Sequence, residues 1–176
     1  MARYVNVGCI SSVIILLLSV TNTNPAILNN PQAFFYPRSS ESLDCNASIT
    51  LDDSLSSTGD FVKTWSSPNF PQNYADDISC TLNITFAESL GSAVMWVSAD
   101  SRSSISPSMR CQYDYLQYTS KDGYKKTFCD RLEDISITEL LFDEESKSAQ
   151  WKFMSSSLDE STDVGFELTI RALKIN

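Results

Sequence analysis

Cys80-Thr81-Leu82-Asn83-Ile84-Thr85-Phe86 alternates without a break: Leu82, Ile84 and Phe86 are apolar, and Thr81, Asn83 and Thr85 between them are polar. Successive side chains of an extended chain point to opposite faces. A period of two therefore predicts a strand with one face on a core and the other in water. Asn83 falls on the wet face. It also opens the triplet Asn83-Ile84-Thr85, an N-glycosylation acceptor that has to face water, so the two readings support each other.

The same alternation recurs outward from this stretch. Toward the C-terminus, Ile135 and Ile137 alternate with Ser136 and Thr138, Trp151 and Phe153 flank Lys152, and Phe166, Leu168 and Ile170 alternate with Glu167, Thr169 and Arg171. Residues 93–97 read as another strand. Between Cys111 and Cys129 the sequence predicts a hairpin, with strands at 113–118 and 124–128 and Lys121-Asp122-Gly123 as its turn. Residues 51–60 form a polar loop closed by Gly59. No segment carries a helical period and no internal repeat occurs. Many short strands separated by turn signals predict an all-β sandwich or barrel.

The N-terminal end follows other rules. Arg3 precedes an almost unbroken apolar run at 10–20 that no charge interrupts, and these 11 residues are too few for a membrane span, which needs about 20. Residues 1–23 are therefore read as a signal peptide, cleaved near 21–24. Every later apolar stretch is interrupted by charge or by Ser and Asn, so no membrane span is expected, and Arg171-Ala172-Leu173-Lys174 carries no lipid-anchor signal. Residues 24–44 hold Pro25, Pro31 and Pro37 and one aromatic knot, Phe34-Phe35-Tyr36. They read as an extended arm. Its knot docks on the domain or on a partner, or the arm is a loosely attached terminus. The remainder suits a single domain.

Composition narrows the function classes. The chain of 176 residues has a net charge of −9, and loss of the leader removes only Arg3 among its charges, which gives −10. Nucleic acid is disfavoured as a partner, because neutralising phosphate requires a basic footprint. The one basic cluster, Lys121 with Lys125 and Lys126, reads as a solvated hairpin tip. With Cys9 lost in the leader, Cys45, Cys80, Cys111 and Cys129 remain, an even number without the short spacing of a metal site. They predict two disulfides, with three pairings open. A second acceptor triplet, Asn46-Ala47-Ser48, makes Asn46 and Asn83 the candidate glycosylation sites. The absence of histidine rules out Ser-His-Asp and Cys-His catalysis and histidine-bound zinc. No glycine-rich phosphate loop occurs. Asp143-Glu144-Glu145 reads as a charged loop rather than a catalytic carboxylate pair, and no catalytic residue is expected.

Ser67-Pro68-Asn69-Phe70-Pro71-Gln72-Asn73-Tyr74, followed by Cys80 and its alternating strand, resembles the Ser-Pro-Asn-aromatic-Pro-x-x-Tyr segment of CUB domains. Its prolines fix an extended turn, from which Phe70 and Tyr74 can fold back on a core. Cys111-Gln112-Tyr113-Asp114-Tyr115-Leu116 with Phe128-Cys129 resembles the family's second cysteine pair, and Gly165-Phe166-Glu167-Leu168 its closing strand. The resemblance covers 45–171, leaving 172–176 as a tail. It implies a jelly-roll β-sandwich of two antiparallel sheets, with disulfides Cys45–Cys80 and Cys111–Cys129.

Departures from the family pattern bear on mechanism. Ala75 stands for the usual proline, Asp130 for the usual glycine, and Leu82 for a common aromatic. Many CUB domains grip partners through a calcium ion held by a glutamate and two aspartates. Asp114 matches one aspartate, but Ser106 stands at the glutamate position and Ser156 at the second aspartate. Calcium takes about 6 to 8 oxygens, so a site retaining only Asp114 is expected to be weak, unless Asp100 or Asp159 moves in. Calcium is disfavoured, with Asp114 the one candidate ligand. Otherwise Asp114 serves as a hydrogen-bonding group within its loop.

The resemblance implies a secreted, extracellular glycoprotein without catalytic activity that binds a protein partner through the sandwich loops. Spermadhesins, single-domain relatives, bind glycans as well as proteins, which keeps a glycan-binding alternative open. A structural matrix or venom component is the third reading.

Overall fold

The computed structural model describes residues 41–59, 61–141, 147–158 and 162–175. The signal segment 1–23, the aromatic knot, Asp143-Glu144-Glu145 and Asp159 lie outside these. Each alternating stretch is a strand. The strands are β1 (Glu41–Leu43), β2 (Asn46–Leu51), β3 (Phe61–Ser66), β4 (Ser79–Phe86), β5 (Ala93–Ala99), β6 (Ser104–Ile105), β7 (Tyr115–Thr119), β8 (Lys125–Phe128), β9 (Asp130–Arg131), β10 (Ser136–Leu141), β11 (Lys147–Met154) and β12 (Glu167–Lys174). Helix among the described residues is limited to the short 3-10 turns Glu88–Leu90 and Met109–Cys111.

Two five-stranded sheets, ordered β1-β3-β12-β5-β10 and β2-β4-β11-β7-β8, face each other, and β6 pairs with β9 in a small ribbon. The sandwich is all-β, but its sheets are mixed rather than purely antiparallel. β1 runs parallel to β3, and β2 parallel to β4. Parallel neighbours need a crossover connection. Here the opposite sheet supplies it, since the chain visits β2 between β1 and β3, and β3 between β2 and β4. Two residue ranges also shift. The last residues of the arm, Glu41–Leu43, form β1, with Leu43 packed on the core beside Trp65. The closing strand continues through Ala172, which is 1% exposed, to Lys174, because the period of two carries on past Ile170.

The core is aromatic along its length. Trp65, Trp151, Phe153 and Phe166 are fully buried. Trp65 meets Phe166 at 4.7 Å, Phe166 meets Phe153 at 5.2 Å, and Phe153 meets Tyr74 edge-on at 5.2 Å, linking both sheets to the loops at one end. Each fully buried ring of this size contributes about 2 to 3 kcal/mol through burial alone.

Disulfides join Cys45 to Cys80 across the β2–β4 sheet edge and Cys111 to Cys129 across the β7–β8 hairpin, with Cα separations of 4.9 Å and 5.5 Å. Closing loops of 35 and 18 residues restricts the unfolded chain by on the order of 3 kcal/mol each. The hairpin tip differs from a simple solvated turn. Lys125 and Lys126 are exposed, but the Lys121 side chain is only 9% exposed and pairs with Asp122 at 3.7 Å.

Candidate functional site

The turn that begins at Ser67 is locked from both sides. Ser67 N–H donates to the Phe166 carbonyl at 3.0 Å, and the Ser67 hydroxyl accepts from Phe166 N–H at 3.0 Å. Gly165 lies against this contact at φ +82°, and a Cβ there would sit 2.0 Å from Ser67 Oγ. Glycine at 165 therefore answers two demands, left-handed backbone and no side chain. Farther along the turn, Tyr74 N–H donates to the Asp163 carbonyl at 3.1 Å. Both prolines and these bonds aim the Tyr74 ring inward.

The Tyr74 hydroxyl is the hub of the loop end. It donates to Asp114 Oδ2 at 2.6 Å and accepts from Ser106 N–H at 2.9 Å. Asp114 Oδ1 accepts from Ser156 N–H at 2.8 Å. Tyr74 is 2% exposed and Asp114 0%. Burial, then the hydrogen bond to Asp114, pushes the Tyr74 hydroxyl well above the ordinary tyrosine range, so it stays a proton donor at neutral pH. Beside this hub, Ser155 Oγ donates to the Ala75 carbonyl at 2.8 Å and accepts from Ile78 N–H at 2.9 Å. Ala75, which replaces a proline, is thus held through its carbonyl. Three chain segments far apart in sequence, around 74–78, 106–114 and 155–157, are joined to one another by these hydrogen bonds.

The three positions compared with the family's calcium ligands do converge here, but as Ser106, Asp114 and Ser156. One carboxylate with both oxygens already accepting hydrogen bonds does not fit an ion that takes about 6 to 8 oxygens. Among the described residues, no three Cys, Asp or Glu side chains form a metal-ligand group. Asp100 is engaged elsewhere. It is bound by Arg102 at 2.8 Å, which holds its carboxyl below the usual aspartate range.

The segments joined at this hub also carry exposed groups that sequence pattern did not single out. Met109 and Leu158 are 76% and 77% exposed, on the segments that carry Ser106 and Ser156. Arg110 next to Met109 is exposed and holds φ 61°. Arg102 stacks over the Phe70 ring at 5.2 Å. The two acceptor asparagines lie elsewhere, on the β2–β4 sheet. Asn46 is exposed at the sheet edge and its Oδ1 accepts from Thr81 N–H at 3.1 Å. Asn83 is half-buried on the outer face, its Oδ1 accepting from Gln150 Nε2 at 2.9 Å. Among the described residues, no helix is long and apolar enough to cross a membrane.

Residues 45–170 match the family model of the CUB domain. Among solved structures, the chain is similar to the full extracellular region of zebrafish Gpr126/Adgrg6, with a TM-score of 0.53 and 17% identity over 76% of this chain. It is also similar to the CUB1-EGF-CUB2 domains of rat MASP-1, with 0.51 and 21% over 73%, and of human MASP-1/3, with 0.52 and 22% over 65%. At such identities the likeness shows the fold alone. The chain spans 15%, 44% and 42% of those three chains. Among curated proteins, none matches.

Proposed function

This chain belongs to the CUB domain family, and on that footing we propose that it is a secreted, non-catalytic module that recognises an extracellular protein through the loops at the Asp114 end of the sandwich. The observation that carries this reading is the Tyr74–Asp114 hub. It fixes the loop bases by hydrogen bonds and leaves Met109 and Leu158 turned to solvent, a stiff base with apolar contacts on top. Preordered loops lose little entropy on binding, and exposed apolar side chains supply contact area. Recognition here proceeds without calcium. The lack of histidine and the commitment of Cys45, Cys80, Cys111 and Cys129 to disulfides support the absence of catalysis.

In this reading the segment 1–23 directs export and is removed. Asn46 and Asn83 carry glycans, which keeps the partner off the β2–β4 sheet. A net charge of −10 favours a partner with a basic surface. Nothing on the described residues favours the glycan-binding reading.

The purified secreted chain is screened against arrayed extracellular proteins at physiological salt in EDTA, beside a Met109→Asp/Leu158→Asp double variant. The expected result is a saturable partner whose affinity falls at least about tenfold in the variant, as loss of two apolar contacts implies. Equal binding by both proteins would place recognition elsewhere, and binding only when calcium is restored would overturn the metal-free mode.

A further inference from the structure

Each five-stranded sheet has two edge strands, and three of the four carry a guard against pairing with another chain. A strand edge offers a row of N–H and C=O groups, which short length, charge or an inward polar side chain blunts. β1 is three residues long and begins with Glu41. β10 turns Glu139 inward onto the Tyr118 hydroxyl. β8 carries exposed Lys125 and Lys126, the latter folded over the Phe128 ring at 5.0 Å.

β2 is the exception. Its six residues, Asn46-Ala47-Ser48-Ile49-Thr50-Leu51, include neither a charge nor a proline. It pairs with β4 on one side, and among the described residues no strand pairs with the other. Asp44, Asp52 and Asp53 lie beyond its ends, and Asp52 is turned back on Ser54 N–H at 3.0 Å. An alternating, uncharged edge of this kind is a template for a further strand.

What this edge does have is the acceptor triplet Asn46-Ala47-Ser48. Asn46 opens β2 and is exposed on the outer face of the sheet. Its Oδ1 is fixed by Thr81 N–H at 3.1 Å, whereas Nδ2, the atom that takes the sugar, has no partner among the described residues. Ser48 and Thr50 project to the same side as Asn46, so a glycan there rises from the row beside which an added strand must lie. A glycan is bulky and well hydrated. Asn83 is placed differently, one strand in from the edge and bonded to Gln150 on the next strand. Sugar at Asn83 covers the face and leaves the edge open.

We propose, resting on the assignment of a glycan to Asn46, that this glycan guards the β2 edge. Without it a second copy of this chain pairs along β2, strand to strand about a two-fold axis.

One position separates the alternatives. Ser48→Ala and Ser48→Lys both abolish the acceptor triplet and keep Asn46 with its bond to Thr81, but only the lysine supplies a charge to the edge. Both are produced through the secretory route beside the parent chain and Thr85→Ala, which removes the Asn83 triplet alone. Peptide mass spectrometry reads the occupancy of Asn46, and sedimentation over a range of concentrations reads the mass. The expected result is a glycosylated, monomeric parent, a dimeric or larger mass for Ser48→Ala, and monomers for Ser48→Lys and Thr85→Ala. Loss of Ser48→Ala to aggregation during export, with Ser48→Lys recovered in full, is the same result. An unmodified Asn46 overturns the glycan assignment and the guard together, whereas a modified Asn46 with monomeric Ser48→Ala overturns the guard alone. Association of Ser48→Lys or Thr85→Ala as readily as Ser48→Ala would make the sugars general solubilisers and overturn the role at the edge. Circular dichroism with an unchanged β signal establishes that the variants are folded.

Discussion

Among the described residues, two tyrosines hold carboxylates, and the pairs are built differently. Tyr74 donates to Asp114 at the loop end, where both residues are buried and the second oxygen of Asp114 is filled by Ser156 N–H. Tyr118 on β7 is also 2% exposed, but its partner Glu139 stands half-buried on the edge strand β10 and takes one bond, at 2.5 Å. A carboxylate sealed from water must have its oxygens satisfied within the protein, because each unfilled site costs the full desolvation penalty. One with access to water has no such need. The first pair therefore fixes three loops in place, whereas the second ties β7 of one sheet to the edge strand β10 of the other and puts an inward polar group on a strand otherwise open to edge pairing.

Removing the buried carboxylate should have the largest effect. Asp114→Ala strands the Tyr74 hydroxyl and the Ser156 N–H, and its unfolding free energy in urea should fall by about 3 kcal/mol or more. A loss below about 1 kcal/mol would mean that water reaches the hub. Tyr74→Phe removes the hub hydroxyl and with it the bonds to Asp114 Oδ2 and from Ser106 N–H. It should lower stability by about 2 kcal/mol in the same measurement.

Alkaline titration addresses both pairs together. Burial, followed by the carboxylate bond, raises both hydroxyls above their ordinary value. A raised folded-state pKa means that the stabilisation is complete below the unfolded tyrosine value near 10 and is lost as pH climbs toward the folded value. Urea unfolding from pH 8 to 11 should hold level and then decline above about pH 10, with a smaller decline in Tyr74→Phe and in Tyr118→Phe. Decline setting in near neutrality would contradict the assignment. Glu139→Gln is the mildest change, because the amide still accepts from Tyr118. It should cost about 0.5 to 1 kcal/mol, and a cost equal to that of Asp114→Ala would erase the distinction between the pairs.

Much of this architecture is legible in the chain, and the illegible parts have physical causes. β4, β11 and β12 stand out because each has one dry face and one wet face. β3 does not: Val62 is on its outer face and Lys63 on its inner one, so contrast between the faces is lost. The parallel pairing of β1 and β2 at the sheet edges depends on chain crossings between sheets, which no local period encodes. At the site, the resemblance to the family singles out Asp114 and Ser106 by their distance from Cys111, and Ser156 by its place after Phe153-Met154-Ser155. It does not show that Tyr74, 40 residues earlier, takes up one of the carboxylate oxygens, since that contact arises only when the sandwich closes. Asp130, at φ 70°, occupies a left-handed position where glycine is usual, which the sequence shows as a departure and the backbone shows as a strained substitute.

The claim at the centre of this account is that the loop end is held by the Tyr74–Asp114 hub in place of a metal. Calcium titrated by calorimetry into the purified secreted chain, beside Asp114→Asn and with melting in calcium and in EDTA, tests it most directly. No saturable heat and the same melting temperature in both buffers are the predicted results. Saturable heat that disappears in Asp114→Asn, with a melting temperature raised by calcium, would contradict the account and make Asp114 a calcium ligand.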